Sequence, residues 1–211
     1  MDHALILISV FAVFIPALIL PGPDFVAVVR SSMTHGTRAG LLTTLGVSTG
    51  LCMYATLSLL GLSAILVEYQ WLTWTVRVAG GLYLAYLGIK LLRAKPQTID
   101  LDDQARRPVA RRAILFGFLV TLTNPKAIVL FTSVFATAVT ASTPVWLMVL
   151  MIGIVTVSSL TWYSFVSVFM SSGPVMRRFQ NARHWIERAA GVCFIGLGGK
   201  VLADAGRPIS P

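Results

Sequence analysis

The chain has 211 residues, of which 56% are hydrophobic and 12% are charged, and its mean hydropathy is +0.80. These values lie outside the usual range for a soluble domain and indicate an all-α integral membrane protein. The net charge of +9 could suggest an acidic partner, but the basic residues flank apolar segments, where they mark topology. We therefore expect no nucleic-acid partner.

Six apolar segments follow one another along the chain, and each is long enough for a spanning helix, which needs about 20 residues. They are 4–34, 39–66, 71–92, 113–139, 144–170 and 185–203. Basic residues such as Arg38, Arg93 and Arg178 flank the loops after the first, third and fifth segments. By the positive-inside rule these loops are cytoplasmic, and both termini are periplasmic. No signal-peptide pattern precedes the first segment, so we expect that segment in the mature protein.

Helix breakers and a charge interrupt the first and fourth segments, at Pro21, Gly22, Pro23 and Asp24 and at Asn124, Pro125 and Lys126. Proline suits the first turn of a helix, so each motif predicts the start of a half-helix. We expect Asn124 to cap the second half-helix and Gly22 to permit a sharp backbone path into the first. The two N-termini would offer N–H groups to an anion, most simply a substrate carboxylate. A purely structural kink is the alternative.

Asp24 and Lys126 hold equivalent positions after the two prolines. A charge at the bilayer centre costs about 2.5 to 3.5 kcal/mol unless it is compensated. The two residues could pair directly, hold a zwitterionic ligand between them, or leave Asp24 protonated as the carrier of the coupling ion. Alternatively, Asp24 only caps its own helix and Lys126 extends to the membrane interface.

The second segment is rich in glycine and hydroxyl residues. Gly40, Gly46 and Gly50 allow a neighbouring helix to approach closely. We select Thr44 and Ser48 as candidate substrate-binding residues. The alternative is that such hydroxyls pack between helices or bond to the carbonyl four residues earlier.

The two halves of the chain resemble each other. Arg77 and Gly80 in the third segment match Arg188 and Gly191 in the sixth at an offset of 111 residues, and the two proline motifs match at an offset of 102. The sequence thus predicts two three-helix repeats, residues 1–94 and 113–211, joined by a cytoplasmic linker at 95–112. Because three is odd, the second repeat enters the membrane from the opposite side, and the repeats are inverted.

Residue patterns for other chemistry are lacking in the sequence. Cys52 and Cys193 lie singly in apolar segments, and the sequence has no metal-binding His/Cys cluster and no nucleotide-binding loop. We therefore expect neither a metal nor a cofactor, and no enzymatic activity.

Several of these motifs together resemble the LysE/RhtB family of bacterial amino-acid exporters. The motifs are Leu20-Pro-Gly-Pro-Asp24, Gly36-x-x-x-Gly40, Leu45-Gly46-x-x-x-Gly50, Ala79-Gly80-x-x-Tyr83 and Asn124-Pro125-Lys126-Ala. The resemblance implies a six-span inner-membrane carrier that exports amino acids or derivatives, such as threonine, homoserine or basic residues, by using an ion gradient.

We therefore predict a secondary exporter of small amino acids, with membrane lipid as its surroundings; a homo-oligomer is compatible with the sequence. Two alternatives remain at this stage. One is efflux of other small metabolites or cations, and the other is a membrane protein that binds a partner without transporting anything.

Overall fold

The computed structural model describes residues 3–62, 69–93, 110–135, 138 and 143–169, together with 182, 185, 188–189, 191–192, 194–196 and 198–206. All regular secondary structure in these residues is helical. The helices are α1 (His3–Ile19), α2 (Pro23–His35), α3 (Thr37–Thr56), α4 (Gln70–Leu92), α5 (Ala110–Leu122), α6 (Pro125–Leu130) and α7 (Val145–Phe169). Two π-helical segments, Leu57–Leu62 and Phe131–Phe135, continue α3 and α6. A shorter apolar helix, α8, covers Phe194–Ala203.

Three stretches of the described chain are long and apolar enough to cross a membrane, namely His3–His35, which comprises α1 and α2, Thr37–Gly61 and Val145–Phe169. Ala110–Leu122 and Pro125–Phe135 form a fourth candidate, bent by 54°. Helix α4 has nearly the bounds predicted for the third span but is not among these four. The chain is thus an all-α, multi-pass membrane protein, while the division into six spans and two inverted repeats stays a prediction.

The predicted linker falls almost wholly outside the described residues. Its last part, from Ala110, already belongs to α5, so the helix begins three residues earlier than the expected start at 113. The apolar pattern alone misses this first turn, because Arg111 and Arg112 can extend from a helix end to solvent without breaking the helix. Cys193 also lies outside the described residues.

Helix α3 lies at the centre of the described bundle and packs against α2, α5 and α7. Gly36, with φ of +87°, ends α2 and reverses the chain into α3. This backbone conformation is one that residues other than glycine rarely adopt. Helices α2 and α3 consequently run side by side in opposite directions.

Glycines set the approach of α3 to α5. A Cβ atom on Gly46 would collide with the backbone of Ile114, and one on Gly117 would collide with the backbone carbonyl of Thr43. The two helices therefore cross with their backbones in direct contact, as small residues permit in membranes.

A second close crossing joins α4 to the chain around α8. A Cβ atom on Gly88 would lie 2.6 Å from the carbonyl oxygen of Gly191, and one on Gly198 would lie 2.6 Å from that of Gly81. The matching Arg and Gly residues lie in α4, at Arg77 and Gly80, and just before α8, at Arg188 and Gly191. The outer surface of the described helices is strongly apolar: Leu5, Ile8, Leu82, Val149 and Val157 are all more than half exposed. Such a surface suits lipid rather than water.

Candidate functional site: two broken helices joined at their breaks

The first break lies between α1 and α2 and begins at Pro21. In a continuous helix the carbonyl of Ala17 would accept a hydrogen bond from the N–H of residue 21, which proline lacks. Lys126 supplies the missing donor: its Nζ donates to the Ala17 carbonyl at 2.8 Å and to the Leu20 carbonyl at 3.3 Å. The negative end of α1 therefore holds the ammonium group.

Gly22 makes room for this ammonium. Gly22 was expected to permit a sharp backbone path into α2, but its φ of −153° is extended backbone that any residue can adopt, so the backbone path does not itself require glycine. A Cβ atom at this position would lie 2.9 Å from Lys126 Nζ and 3.3 Å from its Cε. The small size of glycine matters at this position, because it lets a side chain from the other half of the chain reach the α1 carbonyls.

The second break lies between α5 and α6. Asn124 caps α6 as predicted, since its Oδ1 accepts from the Lys126 backbone N–H at 3.1 Å. That N–H would otherwise serve the carbonyl of Leu122, which is left free by the break. The Tyr54 hydroxyl on α3 donates to the Leu122 carbonyl at 2.8 Å. At each break, then, a side chain from elsewhere satisfies a released carbonyl.

Asp24 joins the two breaks. It lies in the first turn of α2 and is 2% exposed. Its Oδ1 accepts from the Thr121 hydroxyl at 3.0 Å, and its Oδ2 accepts from the Asn124 amide at 2.8 Å. The sequence predicted that both half-helix N-termini bind a substrate carboxylate. At the N-terminus of α6, Asn124 instead binds the carboxylate of Asp24, which belongs to the chain itself.

This geometry decides between several of the roles considered for the two charges. Asp24 does not cap its own helix, because both of its oxygens accept from the second break, and Lys126 turns inward to α1 instead of outward to the interface. The two side chains have different hydrogen-bond partners and make no direct bond to each other. A bridging ligand and a protonated Asp24 remain the open alternatives.

An aromatic cluster closes the site on the side of the α1 N-terminus. The centroid of the Phe14 ring lies 6.1 Å from that of Phe131 and 5.8 Å from that of Phe135. The Tyr54 ring stacks on Phe131 with 5.9 Å between the ring centroids. The three phenylalanines are at most 1% exposed.

On the opposite side the buried contacts are polar: Ser32 bonds to Ser167 at 2.9 Å. Further hydroxyls on that side are those of Ser31 and Thr43, 2.9 Å apart.

The hydroxyls of Thr44 and Ser48 belong to this polar side. Both residues are at most 2% exposed, and neither oxygen has a hydrogen-bond partner in the described structure. Their neighbours Thr43 and Thr49 bond to the carbonyls four residues earlier. The alternative of back-bonding is therefore right for those two residues and wrong for Thr44 and Ser48. A buried hydroxyl without a partner costs about 1 to 3 kcal/mol.

The structure thus brings together Gly22, Asp24, Asn124 and Lys126. It leaves Pro23 and Pro125 exposed, so these two start the half-helices without lining the buried contact. Two residues at the breaks, Tyr54 and Thr121, were not predicted from the sequence. The position of Thr121, a hydroxyl in an apolar segment just before the break at Asn124, was a usable signal. The bond from Tyr54 to the Leu122 carbonyl joins two helices that are far apart in the chain, and nothing in the local sequence of Tyr54 indicates it.

Comparisons with known proteins identify the family of the chain. The family model described as LysE type translocator matches residues 15–205. The threonine efflux protein of Escherichia coli K12 is 32% identical over 200 residues, which cover 92% of this chain and 96% of that protein. The threonine efflux protein of Salmonella typhi is 31% identical, with 90% and 94% covered.

The leucine efflux protein of Klebsiella pneumoniae is 28% identical, with 90% of each chain covered. No solved structure matches the chain significantly. Because the family model extends from within α1 to beyond α8 and includes both breaks, the chain belongs to the LysE type translocator family.

Proposed function

We propose that this protein is a secondary active transporter that exports small amino acids or their derivatives across the bacterial inner membrane. Family membership supports export as such, and the relatives named for threonine and leucine efflux support amino acids as the substrate class. These relatives align over at least nine tenths of both chains, so the proposal covers the whole bundle and not one part of it.

The observation that carries the proposal is the separation of two ionisable side chains, the buried Asp24 and the half-buried Lys126. Asp24 is held by neutral donors, and Lys126 is held by neutral carbonyls. Each charge keeps the capacity for a stronger, charge-assisted partner. An amino acid carries both complements on one carbon: its ammonium would pair with Asp24 and its carboxylate with Lys126. No single-charged metabolite satisfies both groups.

The proposed binding region is the contact between the breaks together with the neighbouring hydroxyls, namely Pro21, Gly22, Pro23, Asp24, Asn124, Pro125, Lys126, Thr44 and Ser48. Pro23 and Pro125 act only by starting the half-helices. We also assign the coupling ion to Asp24, because a carboxylate closed off from water can change its charge when a path to one membrane face opens.

The proposed architecture is two inverted repeats, 1–94 and 113–211, that exchange access around this contact. Two contacts support this architecture, because each joins helix ends that it places on the same side of the membrane. The His3 ring contacts the Trp146 ring at 5.4 Å, which joins the starts of α1 and α7. Arg77, near the start of α4, donates to the carbonyl of Asp204 beyond α8 at 2.9 Å.

The experiment is counterflow in proteoliposomes that are preloaded with a small amino acid. Uptake of the labelled amino acid is competed with its free, N-acetylated and carboxyl-amidated forms. We expect the free form to compete at least tenfold better than either analogue, because each analogue leaves Asp24 or Lys126 without its charged partner, at a cost of about 1 to 3 kcal/mol.

Equal competition by all three forms would show that the site does not read the zwitterion and would favour general metabolite efflux. Binding of the amino acid without counterflow would instead favour a non-transporting partner protein. Protein-free liposomes serve as the control for leakage.

A further inference from the structure

A groove of about 530 Å³ runs along the outer surface of the bundle between α3 and α5. It is lined by Thr49 on α3 and by Arg111, Ile114, Leu115 and Phe118 on α5. Ile114 and Leu115 are 36% and 51% exposed, so the groove opens on the lipid-facing surface. Because the Thr49 hydroxyl donates to the carbonyl of Leu45, Arg111 is the charged end of an otherwise apolar groove.

A cleft of about 470 Å³ lies at the turn between α2 and α3, and Arg38, Leu42 and Ala110 belong to its lining. The cleft leads into the groove on both helices. On α5, Ala110 is followed directly by Arg111 of the groove. On α3, Leu42 and Thr49 are seven residues apart and so lie on one face of the helix.

Helices α3 and α5 run parallel along this path. Ala39 and Ala110 line the cleft together. A Cβ atom on Gly46 would collide with the backbone of Ile114, and one on Gly50 would lie 2.8 Å from the Thr121 side chain. The residue numbers increase together on the two helices, so both helices begin at the same membrane face, which is predicted to be cytoplasmic.

The path from the basic end to Thr49 has the depth of one leaflet. From Arg38 to Thr49 the rise along α3 is about 16 Å. The hydrocarbon core of a bilayer is about 30 Å thick, so one leaflet contributes about 15 Å. An acyl chain that starts at the arginines therefore ends at the level of Thr49.

Arg38 and Arg111 are exposed, and neither guanidinium has a hydrogen-bond or ion-pair partner in the described part of the chain. A guanidinium can bind a phosphate group through two parallel hydrogen bonds. The positive-inside rule accounts for basic residues at this membrane face. It does not account for a groove that leads from them through the depth of a leaflet.

We infer that the cleft and the groove together bind one anionic phospholipid, whose phosphate pairs with Arg38 and Arg111 and one of whose acyl chains lies between α3 and α5. A zwitterionic phospholipid has the same tail, but its cationic group would meet the two arginines. A free phosphate ion fits only the basic end. Basic pockets between transmembrane helices bind anionic headgroups in this way. The inference does not depend on which substrate the protein transports.

Thermal unfolding of the full chain in detergent tests the headgroup. The protein is titrated with dioleoylphosphatidylglycerol, with dioleoylphosphatidylcholine or with inorganic phosphate. A lipid that binds the folded state raises the melting temperature. We expect the phosphatidylglycerol to raise it at lower concentrations than the other two. In the double variant Arg38→Gln and Arg111→Gln its apparent affinity should fall at least tenfold, since each arginine contributes about fivefold.

The double variant Arg93→Gln and Arg112→Gln is the matched control. It removes the same charge from two exposed arginines that line neither the cleft nor the groove, so it should behave as wild type. Equal losses in the two double variants, or equal effects of the two lipids on the wild type, would show general attraction to the membrane surface and overturn the inference. Equal stabilisation by inorganic phosphate would assign the arginines to a free anion and would overturn it too.

The variant Thr49→Phe tests the acyl chain, because it fills the groove and leaves both arginines in place. Native mass spectrometry after mild removal of lipid reports how many phosphatidylglycerol molecules stay bound. We expect one on the wild type and on the arginine control, and none on Thr49→Phe. Retention of that lipid by Thr49→Phe would place the chain outside the groove and contradict the inference.

Discussion

Asp24 is held in a way that tolerates a change of charge. The Thr121 hydroxyl lies 3.0 Å from the Asp24 carboxylate and 3.2 Å from the carbonyl oxygen of Gly117. Its proton therefore has two acceptors within reach, and the hydroxyl can donate to Asp24 or accept from it. Since the carboxylate is surrounded by neutral groups in its hydrogen bonds, gain of a proton does not break a salt bridge.

Substitution of Asp24 by Asn removes the charge of the side chain and keeps its shape. The new amide oxygen can accept from Asn124, and the new amide N–H can donate to Thr121, whose own proton then goes to Gly117. We expect the melting temperature in detergent to be unchanged or higher, because the cost of a buried charge, about 2.5 to 3.5 kcal/mol at the bilayer centre, is removed. Counterflow should fall at least tenfold. Normal counterflow by Asp24→Asn across a range of pH would show that the carboxylate is only structural.

Among individual residues, Asp24, Asn124 and Lys126 could be identified from the sequence, because a charge or an amide beside proline is unusual in an apolar segment. The sequence could not show that Lys126 turns to the carbonyls of α1 or that Gly22 leaves room for it. Those two contacts span about 100 positions of the chain and depend on how α6 lies against the end of α1.

The crossing of α3 and α5 controls the site at the scale of elements. Gly46 and Gly117 bring the two backbones into contact, and α5 then carries Thr121 and Asn124 to the level of Asp24. Displacement of α5 by even one methyl group would lengthen both hydrogen bonds to the carboxylate.

Replacement of Gly117 by Ala tests this crossing. The added Cβ meets the backbone of Thr43, which cannot turn away as a side chain could, so we expect a loss of about 1 to 3 kcal/mol in stability and reduced counterflow. Gly153→Ala in α7 is the matched control, because a Cβ there has nothing within 4 Å. That variant should be neutral or gain up to about 1 kcal/mol from helix propensity. Equal melting temperatures for the two variants would contradict a tight crossing.

Element boundaries were predicted well where a backbone rule applies. Pro23 and Pro125 each begin a helix, and Asn124 caps one, because the missing N–H and the free N–H groups are properties of the local chain. The start of α5 was predicted late because arginine fits both a linker and a first helical turn. The glycine-rich pattern of α3 predicted close packing, but the partner helix at each glycine came only from the structure.

The whole molecule is predicted to present its basic loops to the cytoplasm and both termini to the periplasm. The turn at Gly36 and the start of α5 then lie on the cytoplasmic side, and the start of α7 lies on the opposite side. The contacts of His3 with Trp146 and of Arg77 with Asp204 are compatible with this arrangement, because each joins two helices near ends that are predicted to be periplasmic.

Single cysteines can test the topology in a variant whose own Cys52 and Cys193 are replaced. Ala110→Cys and Val145→Cys are the suitable positions, because both residues are exposed and each begins a helix. In intact cells an impermeant thiol reagent should label the cysteine at 145 and spare the one at 110, and disruption of the membrane should make both reactive. Labelling of position 110 from outside would overturn the proposed orientation.

The sequence by itself determined that this chain is a helical membrane protein with two broken helices and a charge at each break. Those conclusions follow from composition, from the length of apolar segments and from the backbone chemistry of proline, all of which are local. Only the tertiary structure decided that Asp24 binds Thr121 and Asn124, that Lys126 binds Ala17 and Leu20, and that Thr44 and Ser48 have no partner in the described bundle. A polar side chain inside a membrane can bond to its own helix or to another one, and the packing of the helices selects between them.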